Sequence, residues 1–279
     1  MSDASNDAVA RLLGLLELDP DGKDRFTVAN PDPGFGPRVF GGQVAAQAIR
    51  AAVATVPPDR SPHSLHAYFI RPGKPGVPIG FEVERTRDGR SFTTRRVLAR
   101  QAGEVIFEMS TSLHVVEPGV DYQFPLARDI PAPESPSAPI SFIPDEIRDR
   151  LPVEMSELGA TEPDADGWYA STRRVWMRVK RRLPDDPLLH VCVLTFLSDM
   201  GAVMGARAPL PEQPLRRIMG ASLDHAVWFH RPIRADDWFL YDLHAVSNAG
   251  ARGLTRGTMH AVDGTLGLSV AQEALLRVI

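Results

Sequence analysis

Two stretches of the chain are apolar or small on almost every helical face, and each is followed by runs in which apolar and polar residues alternate. The first is Gly42 to Val56, where Val44-Ala-Ala-Gln-Ala-Ile49 leaves no polar face of any width. That pattern fits a helix enclosed by other structure, not one lying on a surface. The second covers roughly Leu188 to Met204, and the sixteen residues from Val191 to Ala206 carry a single charge, Asp199. Runs of period two, Glu104 to His114 and Thr265 to Leu276, predict half-buried strands. Asp88-Gly89 and Asp263-Gly264 are hairpin turn signals. Each half therefore reads as a helix followed by several long antiparallel strands.

The halves are related by a repeat. His63-Ser-Leu-His-Ala-Tyr-Phe-Ile-Arg-Pro72 aligns with Leu223-Asp-His-Ala-Val-Trp-Phe-His-Arg-Pro232 at an offset of 160. Arg90-Ser-Phe-Thr93 faces Arg252-Gly-Leu-Thr255 in the same alignment, and Gln101-Ala-Gly103 faces Val262-Asp-Gly264. Between the halves, residues 118 to 163 hold nine of the 25 prolines, too many for helices or central strands, so this stretch predicts a connector laid over a surface. The expected organisation is an N-terminal unit over 1–117, a connector over 118–165 and a C-terminal unit over 166–279. Two units, each a long helix wrapped by a curved antiparallel sheet, make a duplicated α+β fold.

Composition narrows the function classes. With 31 basic and 35 acidic residues the net charge is −4, which offers no basic face for nucleic acid. The single cysteine, Cys192, excludes a disulfide scaffold, a cysteine-ligated zinc ribbon and an iron–sulfur cluster. Asp3 and Asp7 stand where a secretory signal needs basic residues, the longest apolar stretches are about half a bilayer span, and Leu276-Arg277-Val278-Ile279 is no peroxisomal tripeptide. A cytoplasmic protein that engages neither membrane nor nucleic acid is expected.

Three polar residues stand out. Asp199 is a carboxylate in an apolar, enclosed setting, costly unless paired or used, and burial is expected to raise its pKa toward that of a general base. The plain alternative is an acid at a helix end facing water. Gln272 sits on the apolar face of the strand Gly267 to Leu276, with Leu268, Val270 and Ala274, where an amide can orient water or merely satisfy backbone. Ser222 precedes Asp224; alternation puts Ser222, Asp224 and Ala226 on one face and His225 on the other, which argues against a Ser222–His225 nucleophile–base pair. Asp224 is a reserve base, though a strand-register hydrogen bond explains it as well. Arg85, Arg87, Arg90, Arg95, Arg96 and Arg100 form either a seat for phosphates or a solvated strand face. His63 and His66 lack further ligands and no H-E-x-x-H occurs, so no metal is expected. Gly34-Phe-Gly36 lacks the setting of a dinucleotide loop, and Gly267-Leu-Ser-Val-Ala271 lacks the final glycine of a nucleophile elbow.

Phe40-Gly-Gly-Gln-Val44, His66-Ala-Tyr-Phe-Ile-Arg-Pro72, Arg87-Asp-Gly-Arg-Ser-Phe92 and Arg95-Arg-Val97 resemble the first half of acyl-CoA thioesterase II. Asp224-His-Ala-Val-Trp-Phe-His-Arg-Pro232, Ala251-Arg-Gly253, Asp263-Gly264 and Ala271-Gln-Glu273 resemble its second half. The resemblance implies a tandem (double) hotdog fold that hydrolyses fatty acyl-CoA, with no cofactor and no metal. It implies a catalytic trio of Asp199, Ser222 and Gln272, which hold and deprotonate a water, and a homodimer or larger homo-oligomer that covers sheet edges. Backbone N–H groups around Gly41 and Gly42 are expected to hold the oxyanion. Gln43 lies near the first-half counterpart of Asp199, while Pro62 and Ser112 face Ser222 and Gln272, so one active site per chain is expected. A hotdog enoyl-CoA hydratase would need a histidine–aspartate pair, and the nearest histidine along the helix, His190, is nine residues from Asp199. A non-catalytic acyl-CoA binder or sensor would not need all three polar groups.

Overall fold

The computed structural model describes residues 3–31, 37–126, 130–135, 145–148, 150–162, 164–165, 171–207 and 218–279. Gly34-Phe-Gly36 and part of the proline-rich stretch lie outside them. The first half contains α1 (Asp3–Gly14), β1 (Asp19–Pro20), β2 (Arg25–Val28), α2 (Gly41–Val53), β3 (Arg60–Phe69), β4 (Ile79–Asp88), β5 (Phe92–Gln101) and β6 (Glu104–Val115). Then come α3 (Asp145–Arg148), β7 (Val153–Gly159), β8 (Arg173–Val179), α4 (Pro187–Ser198), α5 (Ala202–Gly205), β9 (Ile218–Ser222), β10 (Asp224–Phe229), β11 (Phe239–Ala249), β12 (Arg252–Ala261) and β13 (Leu266–Val278). β7 falls within the proline-rich stretch, where a proline-free run between Pro152 and Pro163 is free to pair with β8.

One antiparallel sheet joins the halves, in the order β1-β2-β4-β5-β6-β3-β10-β13-β12-β11-β8-β7, with β9 paired to β13. At its centre β3 meets β10, and His66 lies opposite Ala226. These two residues are related by the offset of 160 in the sequence repeat, so the pseudo-twofold axis of the duplication passes through this pair.

The sheet curls around α2 and α4. Ten residues of α2 are buried, half of them alanines without any exposed surface, which lets strands and the second helix approach closely. The helices run antiparallel: Gly42 at the start of α2 abuts the Phe196 carbonyl near the end of α4, while Arg50 lines a small pocket with Asp186 and Leu189 at the opposite end. The second helix stops earlier than the apolar pattern suggests. Gly201 has φ of 84°, a left-handed turn that closes α4 before the short α5 begins. This break makes Asp199 the C-terminal cap of α4 instead of an interior residue.

On the sheet face away from the helices, Trp176 of β8 and Leu240 of β11 form with Trp238 a separate apolar cluster against Leu126 and Ile130. Trp176 Nε1 donates to the Pro131 carbonyl at 2.9 Å, and Gln123 bridges the Gly264 carbonyl and the Leu266 amide. The proline-rich stretch around residues 123–126 and 130–131 thus lies on the outer face of the C-terminal half, while its later part forms the sheet strand β7.

The approach of the two helices depends on Gly42. A Cβ there would stand 2.3 Å from the Phe196 carbonyl oxygen, a backbone atom that cannot swing aside. Gly42→Ala is expected to destabilise the fold by about 1–3 kcal/mol, read as a lower midpoint in chemical denaturation.

Candidate active site

Asp199 is 5% exposed although it caps a helix end. The C-terminal end of a helix disfavours negative charge, and the N-terminal end of another favours it. Here the antiparallel packing supplies the second to offset the first: the Gly42 N–H, in the first turn of α2, donates to Asp199 Oδ2 at 2.9 Å. Gly41 makes room for this, because a Cβ on it would lie 2.7 Å from Oδ2 and 2.6 Å from the Phe69 ring. The glycine pair is therefore required by the close approach of a carboxylate to the helix backbone. The Gly42 amide, expected to hold an oxyanion, is instead engaged by Asp199.

The other carboxylate oxygen anchors a line of side chains. Ser222 donates from Oγ to Asp199 Oδ1 at 3.0 Å, and Gln272 donates from Nε2 to Ser222 Oγ at 2.8 Å. The three residues singled out in the sequence are thus brought together, with Gln272 wholly buried. The line continues to a residue the sequence reading set aside: Gln272 Oε1 lies 2.6 Å from His225 Nδ1, and His225 Nε2 lies 2.7 Å from Ser198 Oγ. Burial holds the His225 pKa below its ordinary value, against the opposing pull of Asp199, Gln272 and Asp224. Tyr241 donates to the Ser198 carbonyl at 2.6 Å, and burial pushes its phenol well above the ordinary value.

Simple alternation places His225 and Ser222 on opposite faces, and the structure corrects this. Ser222 lies opposite Ala274 but Ala226 lies opposite Ala271, so four steps on one strand match three on the other. The extra residue is a bulge between β9 and β10, and it turns His225 to the Ser222 face. Asp224 supports the bulge: its Oδ1 accepts from the Glu273 N–H at 2.6 Å, in place of a ladder carbonyl. That is the strand-register role weighed against a reserve base. Periodicity cannot reveal a bulge; an aspartate able to accept from the neighbouring strand is the only trace it leaves in the sequence.

The pseudo-symmetric place in the first half is built differently. Ala54 caps α2 as Asp199 caps α4, so Ala54, not Gln43, is the counterpart of the acid. Pro62 lies opposite Leu113 as Ser222 lies opposite Ala274. Thr111 lies opposite Arg95 as Gln272 lies opposite Thr255, so Thr111 replaces Ser112 as the counterpart of Gln272. Arg95 has no exposed surface and donates to Thr55 Oγ1 at 2.9 Å, the Thr55, Arg87 and Thr94 carbonyls at 3.3, 3.1 and 3.0 Å, and Asp88 at 2.6 Å. The bonded guanidinium lies against Thr55, and the residue that caps α2 is the alanine Ala54 and not an acid. Among the other clustered arginines, Arg85 pairs with Asp24, Arg96 with Glu84 and Glu108, and Arg100 with Glu82, as on a solvated strand face. Among the described residues no group of three or more His, Cys, Asp or Glu side chains is placed to hold a metal.

The architecture defines the class, a double hotdog. A protein of unknown function from Alicyclobacillus acidocaldarius, described as having a hot dog fold, superposes over 100% of both chains with a TM-score of 0.76 at 20% identity. Residues 30–114 match the acyl-CoA thioesterase N-terminal domain family and residues 150–275 the acyl-CoA thioesterase family. The chain is 36% identical to human acyl-coenzyme A thioesterase 8 over 86% of its own length and 81% of the relative's. It is also 36% identical to the crystal structure of acyl-CoA thioesterase II TesB2 from Mycobacterium marinum, covering 96% of this chain and 98% of that one, with a TM-score of 0.82. The chain belongs to the acyl-CoA thioesterase family.

Because a Cβ at Gly41 would press on Asp199 Oδ2, Gly41→Ala is expected to displace the carboxylate and cut kcat for acyl-CoA hydrolysis on the order of 10²-fold. Its melting temperature should fall far less than activity; thiol release and thermal unfolding measured on one preparation check this.

Proposed function

We propose that the protein hydrolyses fatty acyl-CoA to free fatty acid and CoA with a water held by Asp199, Ser222 and Gln272. The observation that carries the reading is the buried carboxylate at the meeting of two helix ends, joined by hydrogen bonds to a serine and then an amide. An amide has a second N–H and a hydroxyl a second lone pair, and in this reading they orient the water. Asp199 takes a proton from the water as its oxygen bonds to the thioester carbonyl carbon. The tetrahedral adduct then collapses, the C–S bond breaks, and Asp199 returns the proton to the departing CoA sulfur. The Gly41 amide, at the same helix N-terminus, is the oxyanion donor in this reading.

The hydratase alternative loses support from His225. The imidazole is close enough for Asp199 to influence its titration, but it is fully buried with one nitrogen on Gln272 and the other on Ser198. It has no edge to offer a substrate. Units over 1–117 and 166–279 with a connector over 118–165, action in the cytoplasm, and a homodimer or larger assembly belong to the same reading. Its supports are the sheet ending in β1 and β7 among the described residues, and the finding that no described helix is long and apolar enough to cross a membrane.

Free-thiol release from acyl-CoAs of short to long chain, by wild type and Asp199→Asn, tests the proposal. We expect release by wild type and a drop in kcat on the order of 10²–10⁴-fold in the variant, with KM changed only a few-fold. A variant as fast as wild type removes Asp199 from the reaction. Binding without release from any chain length favours the sensor.

A further inference from the structure

We propose that His225 is a positioning residue for hydrolysis: its imidazole Nδ1–H fixes the orientation of the Gln272 amide and thereby the direction of every hydrogen bond leading to Asp199. The inference rests on the hydrolytic reading above and assigns a role to a residue which that reading leaves idle.

The directions follow from the donor and acceptor inventory of each group. At Asp199 Oδ1 the Ser222 hydroxyl gives its one hydrogen. Ser222 Oγ then has only lone pairs to offer Gln272, which must present its NH2, at 2.8 Å. The amide has two ends, so its Oε1 is committed to the other side, 2.6 Å from His225 Nδ1. That nitrogen must carry the hydrogen. A flipped Gln272 would set oxygen against the Ser222 lone pairs and NH2 against the ring, so Ser222 and the His225 N–H hold the amide from its two ends.

The far side of the imidazole meets Ser198. Burial lowers the His225 pKa, which favours the neutral ring. Ser198 Oγ lies 2.7 Å from Nε2 and donates to the Thr195 carbonyl at 2.8 Å; with a neutral ring protonated on Nδ1, that one hydrogen is shared with Nε2. Ser198 itself is held by the last turn of α4. The line thus begins at one residue of the helix end and finishes at the next, passing through three strands. An amide cannot relay a proton, so the role is orientation and not proton transfer. The first half supplies a comparison, because the residue at the offset of 160 from His225 is Leu65, on a half that has neither acid nor amide at the corresponding places.

The experiment is a double-mutant cycle of His225→Leu with Gln272→Ala, read as kcat and KM for acyl-CoA hydrolysis, beside His225→Asn and Asp199→Asn. Asparagine places a donor N–H near the position of Nδ1 and should restore most of the rate. We expect His225→Leu to lower kcat on the order of 10- to 100-fold with KM within about twofold, and this penalty to vanish in the Gln272→Ala background. An equal penalty in both backgrounds, an unchanged rate in His225→Leu, or a wild-type rate in Gln272→Ala overturns the proposal. Because His225→Leu must also fold, histidine ¹⁵N shifts of the wild type provide a second test. A neutral ring protonated on Nδ1, the less common tautomer, is expected, with His225→Asn assigning the signal. Protonation on Nε2 alone overturns the proposal. If Asp199→Asn is fully active, the hydrolytic reading itself fails; if it is inactive while the cycle is additive, only the role of His225 fails.

Discussion

The structure turns on a single buried charge. Asp199 lies at the end of α4 where the helix backbone repels it, and it is tolerable there because α2 runs the other way and presents its first N–H groups. Antiparallel helices at close range are possible because α2 is rich in alanine and begins with two glycines. The curled sheet, the short helix, the left-handed Gly201 and the glycine pair are all conditions for bringing a carboxylate to that junction.

The same constraint divides labour between the duplicated halves. The first contributes a helix N-terminus and no acid; the second contributes Asp199, Ser222, Gln272 and His225. Neither half holds the complete set, so the site is a product of their fusion through β3 and β10. At the pseudo-symmetric place Ala54, Pro62, Leu65 and Thr111 stand where the polar line would run, and Arg95 takes the volume. A guanidinium with hydrogen bonds to Thr55, Arg87, Asp88 and Thr94 occupies that half, and the buried carboxylate belongs to the other.

Much of this was legible in the sequence, for physical reasons. An offset of 160 shared by two aromatic-Phe-x-Arg-Pro strands reports the duplication, and the residues at its centre are those that pair across the pseudo-twofold. An isolated acid in an apolar run and an amide on an apolar strand face are conspicuous because burying either is costly. What stayed hidden was set by one-residue slips. The bulge after Ser222 reverses the face of His225, and an extra residue in the second half makes Thr111 the counterpart of Gln272. The early end of α4 was hidden as well, since a glycine within an apolar run does not announce a left-handed turn. The apolar settings of Asp199 and Gln272 marked them as candidates, the family resemblance grouped them with Ser222, and the geometry added His225 to the line.

The most direct test of the account is a single turnover with enzyme in excess over acyl-CoA in ¹⁸O-enriched water. If Asp199 deprotonates a bound water, the label enters the released fatty acid and the peptide containing Asp199 stays unlabelled. Label found in the Asp199 carboxylate would mean that it attacks the thioester itself, and that the helix junction holds a nucleophile and not a base.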